Sequence, residues 1–325
     1  MRLVVTGGAG FIGSNYVKQV LSGLLPGVKR VTVLDKLTYA GTQTNLDNLP
    51  RGDFEFIKGD ICDESVVEKL LDRHDAIVNF AAESHVDRSI SGSRDFVLTN
   101  VLGTHTLLEG ARRKGEIIFV QVSTDEVYGS INSGSSIESD PLLPNSPYSA
   151  SKASADLLAR SYYKTHGLDV RVTRCSNNYG ANQFPEKLIP LFITNLMEGK
   201  RVPVYGTGNN VRDWLHVNDH CRGIHLALMN GMAGNIYNIG GGTEISNIEL
   251  TKKILHLMGE NESSLDFVED RLGHDFRYSV DHGKITSQLG YTTSVSFEDG
   301  LAKTIEWYQQ NKAWWYPLKY SQRQE

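Results

Sequence analysis

Two carboxyls stand side by side, Asp125-Glu126, just after an apolar run from Ile117 to Val122, and a Tyr-x-x-x-Lys follows at Tyr148 and Lys152. In a helix that spacing puts both side chains on one face, where the ammonium can lower the phenol's pKa. A phenolate so placed takes the proton of an alcohol while hydride leaves for a nicotinamide. Thr124, directly before the acids, offers a hydroxyl to the same alcohol. Once a ketone exists, the neighbouring C–H is acidic. Glu126 can then remove that proton while Asp125, kept protonated, donates to a departing hydroxyl. The cycle needs one acid and one base of different pKa, a division that adjacent carboxyls can make. Taken alone, an acidic pair more often caps or solvates a loop, and Tyr148 behind Pro147 fits a plain helix start. The end of a parallel strand is where ligands bind, which favours chemistry here.

The elements that must position these groups follow from the hydrophobic pattern. A chain of 325 residues, 40% apolar, can bury a full core as one large or two intimately joined domains. Short apolar runs alternate with amphipathic segments through the first half, which predicts βαβ units in an α/β fold, a doubly wound parallel sheet of Rossmann type. Strands are expected at Leu3–Val5, Val31–Leu34, Phe54–Ile57, Ala76–Asn79, Ile117–Val122 and Val170–Thr173, with helices near 11–22, 63–72, 94–113 and 148–165. Such a sheet needs helices on both faces. After about residue 175 the texture changes to more Asn, Gly and Pro with aromatic-basic clusters, which predicts a smaller α/β substrate-binding lobe. The expected division is residues 1–174 plus about 211–240 for the sheet, and about 175–210 and 241–325 for the lobe.

The net charge of -5 argues against a nucleic-acid surface. Cys62, Cys175 and Cys221 are too irregularly spaced for a zinc ribbon, and their odd number argues against a disulfide framework. A strand starting at Arg2 leaves no room for a signal peptide, and no apolar run reaches transmembrane length, so a cytoplasmic protein away from membranes is expected.

Gly7-Gly8-Ala9-Gly10-Phe11-Ile12-Gly13 follows the first strand directly. Glycines there allow a tight turn and let a pyrophosphate approach the N-terminus of the next helix. Asp35 closes the second strand, where a carboxylate accepts the adenosine ribose hydroxyls and repels a 2′-phosphate, so NAD is expected over NADP. Asp60-Ile61 after the third strand could hold the adenine edge; a plain helix N-cap by Asp60 competes with that reading. The glycine run and the Tyr-x-x-x-Lys resemble the extended short-chain dehydrogenase/reductases, and Asn79-Phe80-Ala81-Ala82 looks like that family's dinucleotide-contacting turn. This resemblance implies Lys36, Thr38, Ala81, Ala82 and Asn178 as further cofactor contacts beside Gly7, Gly10, Phe11, Ile12, Gly13, Tyr148 and Lys152.

A closer resemblance covers nearly the whole chain. Ala81 to Ser89, Ser123 to Gly129, Arg174 to Gly180, Gln183 to Pro190, Gly208 to Asp213-Trp214 and Asp270 to Asp275 resemble the characteristic segments of the dTDP-glucose 4,6-dehydratases. The resemblance implies Asp125 as the acid, Glu126 as the base at C5, and Tyr148 as the base for oxidation at C4. It also implies sugar or phosphate contacts by Ser84, Thr124 and Asn177. Nucleotide diphosphate contacts would come from Lys187, Leu188, Arg212, Asn247, Arg271 and His274, with Val204 and Tyr205 along thymine and Glu186 and Pro203 as further substrate contacts. Two arginines in loops, Arg212 and Arg271, fit a bidentate phosphate clamp, although either alone is more often a surface residue. The family also implies dTDP-glucose as substrate, NAD retained through each turnover, and a homodimer through the helices near 94–113 and 148–165. Ala181 and Leu272 stand where proline is usual in that family.

Two other readings stay open. An epimerase on the same scaffold needs no acid pair, a decarboxylase would need a site for a sugar carboxylate, and a non-catalytic NAD-sensing protein needs no Tyr148 base. UDP- and GDP-linked sugars remain alternatives to the dTDP form. His216 and His220 have metal-pair spacing without a third ligand, so no metal is expected. Cys175 reads as a buried inert thiol, and Trp307, Tyr308, Trp314, Trp315 and Tyr316 as packing.

Overall fold

Seven strands pair in the order β10-β6-β5-β4-β1-β2-β3, every neighbour parallel, in a computed structural model that describes residues 1–47, 49 and 53–320. The strands are β1 (Arg2–Thr6), β2 (Arg30–Asp35), β3 (Phe54–Lys58), β4 (Ala76–Asn79), β5 (Ile118–Thr124), β6 (Asp169–Cys175) and, after an excursion, β10 (Ile236–Ile239). Side chains alternate between the faces along each strand. Leu3, Val5, Val31 and Val33 pack under α1 (Phe11–Leu21) and α8 (Val217–Asn230). Val4, Leu34 and Ile77 pack on the opposite face, against α2 (Glu64–Leu71), α5 (Thr104–Lys114) and α6 (Pro147–His166). Both faces are therefore apolar, which is why the strands read as unbroken hydrophobic runs.

Between β4 and α5 the chain forms α3 (Val86–Ser91), a short α4 (Arg94–Phe96) and a π-helical stretch Val97–Gly103. The sequence pattern predicted one helix over 94–113. Asn100 explains the wider turn: its amide accepts from the Glu83 N–H at 2.9 Å and donates to the Glu83 carbonyl and to Ser151 Oγ of α6. π-Turns of this kind recur at functional sites.

The second core lies around α7 (Leu188–Met197), with strands β7 (Asn177–Tyr179), β8 (Val202–Tyr205), β9 (Val211–His216), β11 (Glu244–Ser246) and β12 (Leu265–Val268). β11, β9 and β7 form one small sheet, β12 and β8 another. Helices α9 (Asn247–Leu257), α11 (Phe297–Gln310) and α12 (Lys312–Tyr320) close that core, and Trp315 is fully buried in it. Two segments depart from the expected layout. Val211–His216 was expected to return to the large sheet but pairs with β7 and β11; only α8 and β10 return. Helix α10 (Gly283–Leu289), expected with the lobe, puts Ile285 into the core of the large sheet.

Candidate active site

The cofactor crevice opens between β1 and β4, where the strand order reverses. Gly7 has φ +67°, and a Cβ on it would lie 2.6 Å from the Ala81 nitrogen, so the turn and its neighbour strand can close only around glycine. A Cβ on Gly13 would meet the Gly7 carbonyl oxygen at 2.4 Å, which holds α1 tight to the turn. Helix α1 has no side-chain cap at Gly10, so its first-turn N–H groups and dipole are free for an anion.

Asp35 is held by the loop it faces. Its two oxygens accept from the N–H groups of Ala9 (2.9 Å) and Leu37 (2.8 Å), and Leu37 adopts φ 56° to make its bond. Burial raises the Asp35 pKa, and these two N–H groups oppose that shift. Lys36 pairs with Asp60 at 2.8 Å, and Asp60 accepts from the Cys62 N–H. Helix α2 is capped by Asp63, not Asp60. Gly7, Gly10, Phe11, Ile12, Gly13, Asp35, Lys36, Thr38, Asp60, Ile61, Ala81, Ala82 and Asn178 all line one cavity. These residues fit a dinucleotide: an uncapped helix start, a glycine cradle that a Cβ would fill, and a carboxylate at the end of β2.

That cavity continues to Thr124, Asp125, Glu126, Tyr148 and Lys152. β5 ends in a 3-10 turn, Asp125–Tyr128, capped by Thr124, whose hydroxyl accepts from the Glu126 N–H at 3.2 Å. Tyr148 sits in the first turn of α6 because Ser146 and Ser149 form a capping box and Pro147 occupies the first helical position. Lys152 is one turn on, its Nζ donating to the Val122 carbonyl at 2.7 Å. Burial pushes the Tyr148 phenol well above its usual range, with the Glu126 carboxylate adding to the rise and a hydrogen bond to Thr124 opposing it. Burial lowers Lys152, and Asp156 pulls it back up.

The acid pair is not symmetric. Asp125 is raised well above the carboxylate range, chiefly by burial and then by Glu126 and Asp213 beside it; its Oδ2 has no protein partner. Glu126 is also raised by burial, but Arg212, Lys187 and Arg271 favour its ionised form. The surroundings therefore assign the proton to Asp125 and the charge to Glu126. This asymmetry was not readable from the sequence, because the three cations come from distant segments.

A second, smaller cavity meets the first at Glu126 and Asn177 and is lined by Arg212, Arg271 and His274. Arg212 is buried and donates to the Val211 and Asp275 carbonyls at 2.8 and 2.9 Å. Arg271 pairs with Asp87 (Nη2 to Oδ2, 3.0 Å) over the Tyr205 ring, and His274 bonds Asp270 at 2.7 Å. Ser84, Asn177, Glu186 and Lys187 line the larger cavity, where Lys187 donates to the Ser84 carbonyl. Leu188, Pro203, Val204, Tyr205 and Asn247 line neither cavity. Val204 points into the second core at 2% exposure, so its side chain cannot lie along a base; Tyr205, alternate to it on β8, is exposed at the rim. Asn247 Oδ1 is buried without a partner at the start of α9.

Sequence reasoning assigned no role to His85, Asp87, Arg88, Tyr39, Asp275 or Tyr278. The signal available was the charged stretch Glu83 to Arg88 directly after β4, at the ligand-binding end of the sheet. Tyr39 donates to Glu186 at 3.0 Å beneath the Arg88 guanidinium, and Tyr278 bonds Asp275 beside Glu126. His216 is the N-cap of α8, and Asp219 in its first turn accepts from the Ser294 and Val295 N–H groups. His220 bonds Asn178 at 2.9 Å, and burial pushes the Cys175 thiol up, as expected for an inert sulfur.

Comparison with known proteins agrees with this geometry. The family model described as GDP-mannose 4,6 dehydratase matches residues 4–304. The chain is 56% identical over 324 residues to the dTDP-glucose 4,6-dehydratase of Streptomyces niveus, covering 98% of this chain and 96% of that protein. Among solved structures, DesIV (dTDP-glucose 4,6-dehydratase) from Streptomyces venezuelae with NAD and TYD bound superimposes with a TM-score of 0.97 at 58% identity, covering 98% of this chain and 100% of that one. The dTDP-glucose 4,6-dehydratase of Bacillus anthracis in complex with NAD gives 0.91 at 47% identity, over 98% and 99%. The chain belongs to the GDP-mannose 4,6 dehydratase family, on the branch of the dTDP-glucose 4,6-dehydratases.

Proposed function

We propose that this protein is a dTDP-glucose 4,6-dehydratase, converting dTDP-D-glucose to dTDP-4-keto-6-deoxy-D-glucose. The observation that carries the reading is the meeting of the Tyr148–Lys152 pair and the Asp125–Glu126 pair in one cavity. NAD, when bound, accepts a hydride from C4 and returns it to C6, so none is consumed. Gly7 through Gly13 hold its pyrophosphate on the α1 N-terminus, and Asp35 receives the adenosine ribose. Lys36, Thr38, Asp60, Ile61, Ala81, Ala82 and Asn178 complete its contacts.

Burial alone keeps the Tyr148 phenol protonated; with the positive charge of bound NAD beside Lys152 it ionises and takes the C4 hydroxyl proton, and Thr124 orients that hydroxyl. The C4 ketone acidifies C5–H, and Glu126 removes that proton and returns it to C5 as the hydride reaches C6. Asp125 donates its proton to the C6 hydroxyl, which leaves as water. Arg212 and Arg271 hold the diphosphate, with Lys187 and His274 beside it; Ser84, Asn177 and Glu186 face the sugar end. An epimerase on this scaffold has no use for an acid and a base whose surroundings divide them as they are divided here.

The lobes go with this reading: 1–174 plus about 211–240 for the cofactor, about 175–210 and 241–325 for the nucleotide sugar, although β9 and α10 cross that line. A homodimer belongs to the same proposal. Its support is the exposed apolar row of Val97, Leu98 and Leu102, with Leu157 on α6. A cytoplasmic location fits the free thiols of Cys62, Cys175 and Cys221, and no described helix is long and apolar enough to cross a membrane.

The test is incubation of the holoenzyme with dTDP-glucose and no reductant, followed by mass spectrometry of the nucleotide sugar. Loss of one water without net cofactor reduction supports the reading. An unchanged mass with an inverted sugar carbon replaces it with epimerisation.

A further inference from the structure

We propose that a buried hydrogen-bonded chain, Asp156–Arg174–Tyr128–Asn238, fixes the acid-pair turn against the helix that carries Tyr148 and Lys152. Arg174 and Tyr128 are then positioning residues for the elimination step. The inference rests on the dehydratase reading and assigns a role to residues outside the cavity.

The chain begins one helical turn beyond Lys152, at Asp156, on the same face of α6. Asp156 Oδ2 accepts from Arg174 Nε at 2.9 Å, and both residues are buried to within 1%. Arg174 Nη1 donates to the Tyr128 hydroxyl at 2.8 Å, with the guanidinium 4.8 Å from the ring centroid. The same hydroxyl donates to Asn238 Oδ1 at 2.8 Å. Asn238 is fixed in turn, accepting no slack: its backbone N–H donates to Glu138 and its Nδ2 to the Ser136 carbonyl, each at 3.0 Å. Four elements are thereby joined, namely α6, β6, β10 and the turn after β5.

Stability does not account for this arrangement. Burying an Asp–Arg pair costs desolvation that its attraction seldom recovers, and apolar residues of similar volume do as well or better. Here the network is also only partly satisfied, since Arg174 Nη2 is buried without a protein partner. What it supplies is placement. Tyr128 is the last residue of the four-residue turn that begins with Asp125 and Glu126. So short a turn cannot shift at Tyr128 without moving Glu126. The oxidation pair has anchors of its own: the Ser146 capping box and the Lys152 bond to Val122. The tie should therefore matter more for C5–H removal than for oxidation at C4.

The experiment compares wild type with Tyr128→Phe, both as holoenzymes, in reactions with dTDP-glucose quenched during turnover and analysed by mass spectrometry. The expected result is product formation slowed about 10- to 100-fold. The sugar that has lost two hydrogens but no water should build up beyond its wild-type level. Melting temperature is measured alongside, because a purely structural role slows both steps together and raises no intermediate. Product formation within about twofold of wild type, or slowing without build-up, overturns the proposal. Should Tyr128→Phe fail to fold, Asn238→Ala removes the far acceptor of the same hydroxyl, and the intermediate-to-product ratio should rise, though less. No change in that ratio overturns the proposal as well. Failure of the wild type to release water overturns the dehydratase reading first, a result separate from any difference between variants.

Discussion

Along the adenosine and pyrophosphate end of the cofactor crevice, most lining groups come from the ends of β1, β2, β3 and β4 and the turns right after them, each next to its own strand in sequence. Around the smaller cavity they come from far apart: Val86 from α3, Glu126 from the turn after β5, Arg212 from β9, and Arg271 to Tyr278 from a loop beyond β12. The first region is built by sheet topology, the second by polar contacts across loops, such as the Arg271–Asp87 ion pair and the hydrogen bond that Arg212 donates to the Asp275 carbonyl. Topology fixes where a backbone N–H points whatever the side chains are. A loop-built clamp depends on each charged side chain finding its partner. Substitutions in the second region should consequently change substrate binding while leaving the first intact.

The largest effect on substrate binding that follows is at Arg271. Arg271→Lys keeps the charge but loses the planar fork that reaches Asp87 and a phosphate together. KM for dTDP-glucose should rise about 10- to 100-fold with kcat changed far less, since uniform binding is what is lost. Cofactor content after purification should equal that of wild type. A fall in bound NAD would erase the contrast between the two regions.

How far the sequence could be read follows the same line. The glycine turn, Asp35 and the Tyr148–Lys152 pair were legible because each rests on spacing within one contiguous segment. The helix start at Pro147 was legible for the same reason. Val211–His216 was misplaced because a six-residue strand carries no record of which sheet it joins; its partners, β7 and β11, lie on either side of it in the chain. Val204 was misread because alternation on a four-residue strand decides between core and rim, and only the packing shows which alternate faces in. The division of protons between Asp125 and Glu126 depends on Arg212, Lys187 and Arg271, far apart in sequence.

The smallest expected effect concerns pH. His220 lies behind the cofactor crevice, and burial lowers its pKa to about 3, below the ordinary histidine value. The folded state then holds fewer protons than the unfolded one as pH falls through the unfolded value, so His220 costs stability on the acid side and nothing at neutral pH. Buried carboxyls with raised pKa, Asp125 among them, act in the opposite direction, so the comparison is with a variant. Between about pH 7.5 and about pH 5, wild type should lose about 2–5 °C more in Tm than His220→Gln does, measured by thermal denaturation. Equal losses would show that His220 takes up its proton in the folded protein.

The central claim is that oxidation and elimination are carried by two separate pairs in one cavity, and Glu126→Gln separates them most directly. The variant is purified, its bound NAD quantified, and the enzyme incubated with dTDP-glucose for mass analysis of the nucleotide sugar. The account predicts wild-type NAD content and a loss of water slowed by about 10²- to 10⁴-fold, the usual contribution of a positioned base. Water loss at the wild-type rate would contradict it, because the C5 proton would then be leaving to some other group.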